Sequence, residues 1–359
     1  MGRLRKAEET LRGKSVLVTG HSGFTGGWAA TWLDQIGADV SGYSLAPNTV
    51  PSLFESASIA SRVPGTFADI LDYEKLLAAM QATRPDLVLH LAAQPLVRRS
   101  YADPLGTFSV NVMGTANVLE AARHSPSVKG VVCVTTDKVY RNNEWSWPYR
   151  ESDVLGGKDP YSASKAAAEF VIDSFAKSFP NSEGKGPAIA TARGGNIIGG
   201  GDWSEDRIVP DFVKAVRQDQ ELTLRFPMAT RPWQHVLALV HAYILLLAGL
   251  IESPNSTARA WNFGPLDIEQ FPVGKVVELL SEAWARPKLN YLDNSLPEAG
   301  ALALDSSNAF NLLGWRPAWD TQEAIKKTAD WFRAYYAAPE SARELTLRQI
   351  SEWRASVAD

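Results

Sequence analysis

Three short stretches carry residues whose types and spacing can do chemistry. Residues 131–138, VVCVTTDK, bring a hydroxyl, a carboxylate and an ammonium to the end of an apolar run, at Thr136, Asp137 and Lys138. Residues 161–165, YSASK, place Tyr161 and Lys165 four apart, on one face if the segment is helical. An ammonium beside a phenol stabilises the phenolate, so this pair makes a base for a sugar or alcohol hydroxyl. The Thr136 hydroxyl can hydrogen-bond the same oxygen. Each feature alone has an ordinary explanation, two solvent-facing helix residues or a plain strand-end threonine. Their weight comes from the third stretch, residues 19–26, TGHSGFTG, where Gly20, Gly23 and Gly26 have the spacing of a turn that cradles a pyrophosphate at a helix N-terminus.

The elements that must position these residues follow from hydrophobic periodicity. Strands are expected at 15–19, 39–43, 87–91, 131–135 and 189–192, and helices at 24–36, 73–83, 104–123 and 161–179. Such alternation predicts an α/β fold, a Rossmann-type doubly wound parallel sheet that binds ligands outside the carboxyl ends of its strands. Thr136, Asp137 and Lys138 sit at one of those ends. The second strand ends in Gly42-Tyr43-Ser44, with neither an acid for a ribose 2′-hydroxyl nor an arginine for a 2′-phosphate. Asp69, followed by Ile70, comes after a short strand; its carboxylate suits an adenine amine or the start of the next helix equally. After Arg193 the chain turns loop-rich, which predicts a smaller, mixed α/β domain. The expected division is 1–192 plus 230–262 for the sheet domain, 193–229 plus 263–345 for the smaller one, and 346–359 as a tail.

Composition narrows the class. The 359 residues carry 36 basic and 40 acidic side chains, a net charge of −4 that argues against a nucleic-acid surface. The one cysteine, Cys133, lies in an apolar run and reads as a buried small residue. With no disulfide to make, a reducing, cytoplasmic setting is expected. Residues 1–14 show no secretory signal. The apolar run 236–251 is short for a membrane span and contains His241, so a buried core helix is expected. Residues 341–359 read as a charged amphipathic surface helix. No metal site is expected.

The combination of TGHSGFTG, HLAAQ at 90–94, a strand-end threonine and YSASK resembles the extended short-chain dehydrogenase/reductase superfamily, over roughly residues 14–340. The motifs TTDKVY, GGKDPYSASKAAAE, ARGGNIIGGGDW, DRIVPD and RPWQHV look like the CDP-glucose branch of the sugar-nucleotide 4,6-dehydratases. That branch is similar to this chain in having Thr-Asp-Lys where the wider group has Thr-Asp-Glu. The resemblance implies bound NAD, held by Gly20, Gly23, Phe24, Thr25, Gly26, Asp69, Ile70, Leu91, Ala92 and Ala93 together with Tyr161 and Lys165. It implies oxidation at C4 of a hexose with Tyr161 as base, Thr136 on O4, and Lys165 holding the nicotinamide ribose and lowering the Tyr161 pKa. Loss of water across C5–C6 would follow with Asp137 as acid, and then hydride return to C6. Lys138 serves as base, as an enolate-stabilising cation or as the partner that orients Asp137; a lysine with its reference pKa of ~10.4 is a poor base.

The same resemblance places the diphosphate of a nucleotide sugar, CDP-glucose, near Asn196, Arg207 and Arg231. Arginine suits phosphate by its forked geometry, although each of these can also be a surface residue. Trp203 and Trp233 suit base stacking or core packing equally. Thr25 stands where the family often has lysine, and Lys158 where histidine is more usual. A homodimer or homotetramer would form through helices near 104–124 and 161–179. A 4-epimerase, which would leave Asp137 idle, and a non-catalytic nucleotide sensor, which would not need Tyr161 and Lys165, are the rival readings.

Overall fold

The computed structural model describes residues 2–265, 271–292 and 302–357. Residues 266–270 and 293–301 of the expected smaller domain, and the last two of the expected terminal helix, lie outside the described residues. In chain order the strands are β1 (Ser15–Thr19), β2 (Asp39–Ser44), β3 (Gly65–Phe67), β4 (Leu87–His90), β5 (Gly130–Val134), β6 (Ala188–Gly194), β7 (Ile197–Ile198), β8 (Glu221–Leu224), β9 (Gln234–His235), β10 (Ala260–Phe263) and β11 (Lys288–Tyr291).

Seven of them form one parallel sheet in the order β10-β6-β5-β4-β1-β2-β3. The order reverses between β1 and β4, and at such a switch point the loops above the strands diverge and leave a crevice. Register levels the strand ends along that crevice: Thr19 pairs with His90, His90 with Cys133, and Val134 with Ala192. The central strands are mostly apolar because helices cover both faces; β4 and β6 are buried throughout. Two small parallel pairs, β7 with β9 and β8 with β11, lie outside this sheet.

The helix Val236–Glu252 is apolar on all sides and packs on β5 and β6 as well as on the helices Arg3–Leu11 and Phe24–Gln35. It is a core helix, as its composition predicts, and His241 is buried in it against the edge of Trp353. Among the described residues no helix is long and apolar enough to cross a membrane. Two expected elements differ. The single helix expected over 104–123 is Pro104–Phe108 and Gly114–Arg123 joined by a π-turn at Ser109–Met113. The terminal helix Ala342–Ser356 is amphipathic but not a surface appendage: Leu345, Ile350 and Trp353 are buried in the main core.

Candidate active site

The glycine turn forms one wall, and its three glycines have different jobs. Gly20 has φ +76°, a conformation glycine adopts without strain. A Cβ on Gly20 would stand 2.8 Å from the Ala92 nitrogen, and one on Gly26 would overlap the Gly20 carbonyl oxygen. Those two glycines let the turn close. At Gly23 a Cβ would meet only the Gly20 oxygen, at 3.4 Å, with nothing else within 4 Å. Gly23 is the N-cap of the helix Phe24–Gln35 and no side chain caps that helix. Its first-turn N–H groups are thus placed to bind phosphate. The space over Gly23, which a side chain would fill, fits a dinucleotide diphosphate. Phe24 and Thr25 begin the helix and are half-buried.

Opposite, the loop after β4 is tied to β1: the Leu91 and Ala92 N–H groups each donate to Thr19 Oγ1 at 3.2 Å. Ala93 follows them, also half-buried. Asp69 does not cap the next helix. Asp72 does, accepting from the Lys75 N–H, while Asp69 Oδ1 accepts from the Leu71 N–H at 2.9 Å. Ile70 is buried against Gly114, where a Cβ would overlap its Cδ1.

The candidate reacting residues stand where β5 ends. Asp159 caps the helix Pro160–Ser178 by accepting the Ser162 N–H at 3.0 Å, and Pro160 follows in the first turn, an N-terminal signature legible as Asp-Pro. The Tyr161 N–H donates to Ser100 Oγ at 3.2 Å, which locks the phenol in the first turn. Thr136 Oγ donates to Asp137 Oδ1 at 2.9 Å and is also the hydrogen-bond partner of the Tyr161 phenol. Lys138 Nζ lies 6.0 Å from the centre of the Tyr161 ring. Among the described residues, Asp137 Oδ2 is buried with no hydrogen-bond partner.

Burial governs the charges. It raises the Asp137 pKa above the usual carboxylate range, against the lowering pull of Lys138, Thr136 and Arg231. It pushes Tyr161 up to about 12, with Thr136 and Arg207 pulling down. It lowers Lys165 to about 8, against Glu169. The expected depression of Tyr161 by Lys165 is therefore not seen. The ammonium donates to the Val134 carbonyl at 3.0 Å, and the charge that lowers the phenol is that of Arg207, against Asp137 and Asp159.

Arg207 pairs with Asp202 at 2.9 Å, and Arg231 is buried, with its charge acting on Asp137. Neither is a plain surface arginine. The Asn196 carbonyl accepts from the Gln234 N–H where β7 meets β9. Trp203 packs edge-on against Trp331, Phe332 and Tyr335, and the Trp233 indole N–H donates to the Phe271 carbonyl; both have full packing accounts. Lys158 lies on an exposed loop 3.9 Å from Glu144. Cys133 is buried, and burial drives its thiol pKa up, so it is an inert packing residue as expected.

Two supporting groups escape sequence reasoning. Glu169 and Arg193 form a buried ion pair, at 2.8 and 3.0 Å, and Thr135 Oγ1 donates to Glu169 Oε1 at 2.5 Å. The signal for it is an acid four residues after Lys165 and a lone arginine in an apolar strand. Asn111, inside the π-turn, donates to Ser164 Oγ at 2.9 Å and accepts from the Gln94 N–H at 2.8 Å. Nothing in the periodicity marks it.

A family model described as GDP-mannose 4,6 dehydratase matches residues 17–328. The chain is 41% identical over 350 residues to the CDP-glucose 4,6-dehydratase of Salmonella typhimurium, covering 96% of this chain and 97% of that protein. The structure of a UDP-glucose 4-epimerase from Thermus thermophilus in complex with NAD superposes with TM-score 0.77 at 28% identity, over 89% of this chain and 99% of that one. That of the dTDP-glucose 4,6-dehydratase from Streptomyces venezuelae shares the fold, with TM-score 0.77 at 23% identity over 91% and 99%. With the strand-end Thr-Asp-Lys and the Tyr-Lys helix in the places these motifs require, the chain belongs to the GDP-mannose 4,6-dehydratase family.

Proposed function

We propose that this chain dehydrates CDP-glucose to the 4-keto-6-deoxy sugar nucleotide with NAD as resident cofactor. The observation that carries the reading is Asp137 Oδ2, buried and unpartnered beside Thr136 and Tyr161. An orphaned buried oxygen is costly unless a ligand completes it. An epimerase has no step for an acid at this place, whereas elimination of a hydroxyl does. The 41% identity to a CDP-glucose 4,6-dehydratase supports the same choice of reaction and substrate.

Gly23, Leu91–Ala93, Asp69 and Ile70 would hold NAD, whose nicotinamide would supply the hydride acceptor for C4 and the hydride donor for C6. Tyr161 takes the 4-hydroxyl proton as its phenolate while Thr136 holds that oxygen. Arg207 and Thr136 offset part of the burial that raises the phenol. Oxidation at C4 acidifies the C5 proton, which Lys138 takes and returns to C5 as hydride reaches C6. Asp137, kept toward its neutral form by burial, hands a proton to the departing 6-hydroxyl. Lys138 supplies positive charge beside the enolate. Asn196, Arg207 and Arg231 hold the diphosphate. The division between a cofactor-binding unit (1–192 plus 230–262) and a sugar-nucleotide unit (193–229 plus 263–345) goes with this reading.

Isotope transfer tests it. CDP-glucose deuterated at C4 should give product carrying the deuterium at C6. Label appearing in free NADH would identify an ordinary dehydrogenase, and return of label to C4 would identify an epimerase.

A further inference from the structure

The hexose and the diphosphate of the proposed substrate have partners in the site, but no residue has so far been assigned to the base. Between the helix Ile208–Gln218 and β8 lies a cleft of about 330 Å³, lined by Arg98, Asp211, Lys214, Thr223 and Arg225 among others. Two links join it to the reacting residues. Arg98 lies on the helix Val97–Ala102, whose Ser100 hydroxyl accepts the Tyr161 N–H. Arg207, whose charge acts on Tyr161, is the N-cap of the helix Ile208–Gln218. Asp211 follows it by four residues, one turn or ~6 Å along the axis.

Charges in the cleft are unevenly satisfied. Arg98 and Arg225 both pair with Asp206, at 3.0 and 3.4 Å. Asp211 is half-buried and, among the described residues, makes no ion pair within 4 Å. Arg98 from the neighbouring helix, Lys214 from its own helix, and Glu205 and Asp206 from the loop before it act on it only through space. A half-buried carboxylate with no donor among the described residues, in a cleft that also presents arginines, suits a ring bearing one amine and adjacent acceptors. Cytosine offers that pattern: an N4 amine, with N3 and O2 as acceptors. Uracil and thymine carry a carbonyl where cytosine has the amine, and its lone pair would face the carboxylate.

We propose that Asp211 reads the base of the substrate, accepting a hydrogen bond from the exocyclic amine of cytosine and excluding uracil and thymine. Arg98 and Arg225 supply donors for the ring acceptors. The inference rests on the nucleotide-sugar reading above and adds the residue that selects the nucleotide.

Calorimetric titration of CDP, UDP and dTDP into the wild-type chain and into Asp211→Asn and Asp211→Ala tests it, with NAD binding as the control for folding. Wild type should favour CDP over UDP by ~10-fold or more, the scale of one well-placed base contact. Asp211→Asn, whose amide can donate to a carbonyl, should weaken CDP by ~10-fold or more and tighten UDP, reversing the order. Asp211→Ala should weaken CDP without tightening UDP. If both variants bind NAD normally and keep the wild-type CDP-to-UDP ratio, the assignment of Asp211 is overturned while the substrate reading stands. If the wild type itself prefers UDP or dTDP, the CDP-glucose reading falls, and this inference with it.

Discussion

Asp137 shows how a residue's place decides its chemistry. At a strand end in water it would be a carboxylate; burial pushes its pKa up, and one oxygen is left without a partner. Lys165 and Tyr161 are moved by the same cause, the first down to about 8 and the second up to about 12. A hydroxide departs poorly from C6 without a proton. Asn at 137 is close in size and can hydrogen-bond the hydroxyl but has no proton to give. Asp137→Asn should therefore leave oxidation at C4 nearly intact and slow elimination by ~10²–10⁴-fold. Rapid quench with mass spectrometry should show enzyme-bound NADH and a 4-keto intermediate one oxygen atom heavier than product. Failure to reduce the cofactor at all would place Asp137 in the first step, and dehydration at the normal rate would move the acid role to Lys138. The types and spacing of Thr136, Asp137, Tyr161 and Lys165 were legible in the sequence. The positive charge that lowers the phenol was not, because Arg207 reaches it from 46 residues along the chain.

At the scale of the element, the glycine turn separates two roles that the spacing alone runs together. Gly26 faces the Gly20 carbonyl and Gly23 faces open space. Gly23→Val should leave the cofactor-free protein with its thermal midpoint within a few degrees of wild type but abolish NAD binding, because the side chain fills the space above the helix N-terminus. Gly26→Ala should lower the cofactor-free midpoint itself, because a Cβ there overlaps backbone. Differential scanning fluorimetry with and without NAD reads both effects, and normal NAD binding by a folded Gly23→Val protein would remove the turn from the cofactor site. The helix Pro160–Ser178 is supported in a comparable way: Glu169, one turn after Lys165, anchors it to β6 through Arg193. Removing one partner from such a buried pair leaves an uncompensated charge, at a cost of about 3–5 kcal/mol.

Taken as a whole molecule, the surface is unevenly apolar. Leu105, Met113 and Phe170 are 80%, 56% and 61% exposed, and Tyr101 and Phe108 lie with them on the segments 97–113 and 160–178. Large exposed apolar side chains gathered on neighbouring helices mark an association surface. These are the helices through which a homodimer or homotetramer is expected, so we infer that the chain self-associates there. Leu105→Glu combined with Phe170→Glu should shift the chain to monomer in light scattering after size exclusion while keeping NAD binding. An unchanged mass would send the interface elsewhere, and a wild-type chain that is itself monomeric would refute self-association.

Local chemistry and period were enough for the sequence to determine the parallel sheet, the glycine turn before a helix, the core helix over 236–251 and the meeting of Thr136, Asp137, Tyr161 and Lys165 near the end of β5. Each of these is written in consecutive residues: alternating apolar runs, a glycine spacing, an Asp-Pro start to a helix. Only the tertiary structure decided that the charges of Arg207 and Arg231 reach Tyr161 and Asp137, that Glu169 and Arg193 pair nearby, that a π-turn brings Asn111 to Ser164, and that Trp353 draws the terminal helix into the core. Those outcomes join residues far apart in the chain and depend on desolvation. Burial of a charge or an indole is a property of the packed neighbourhood, which no window of the sequence contains.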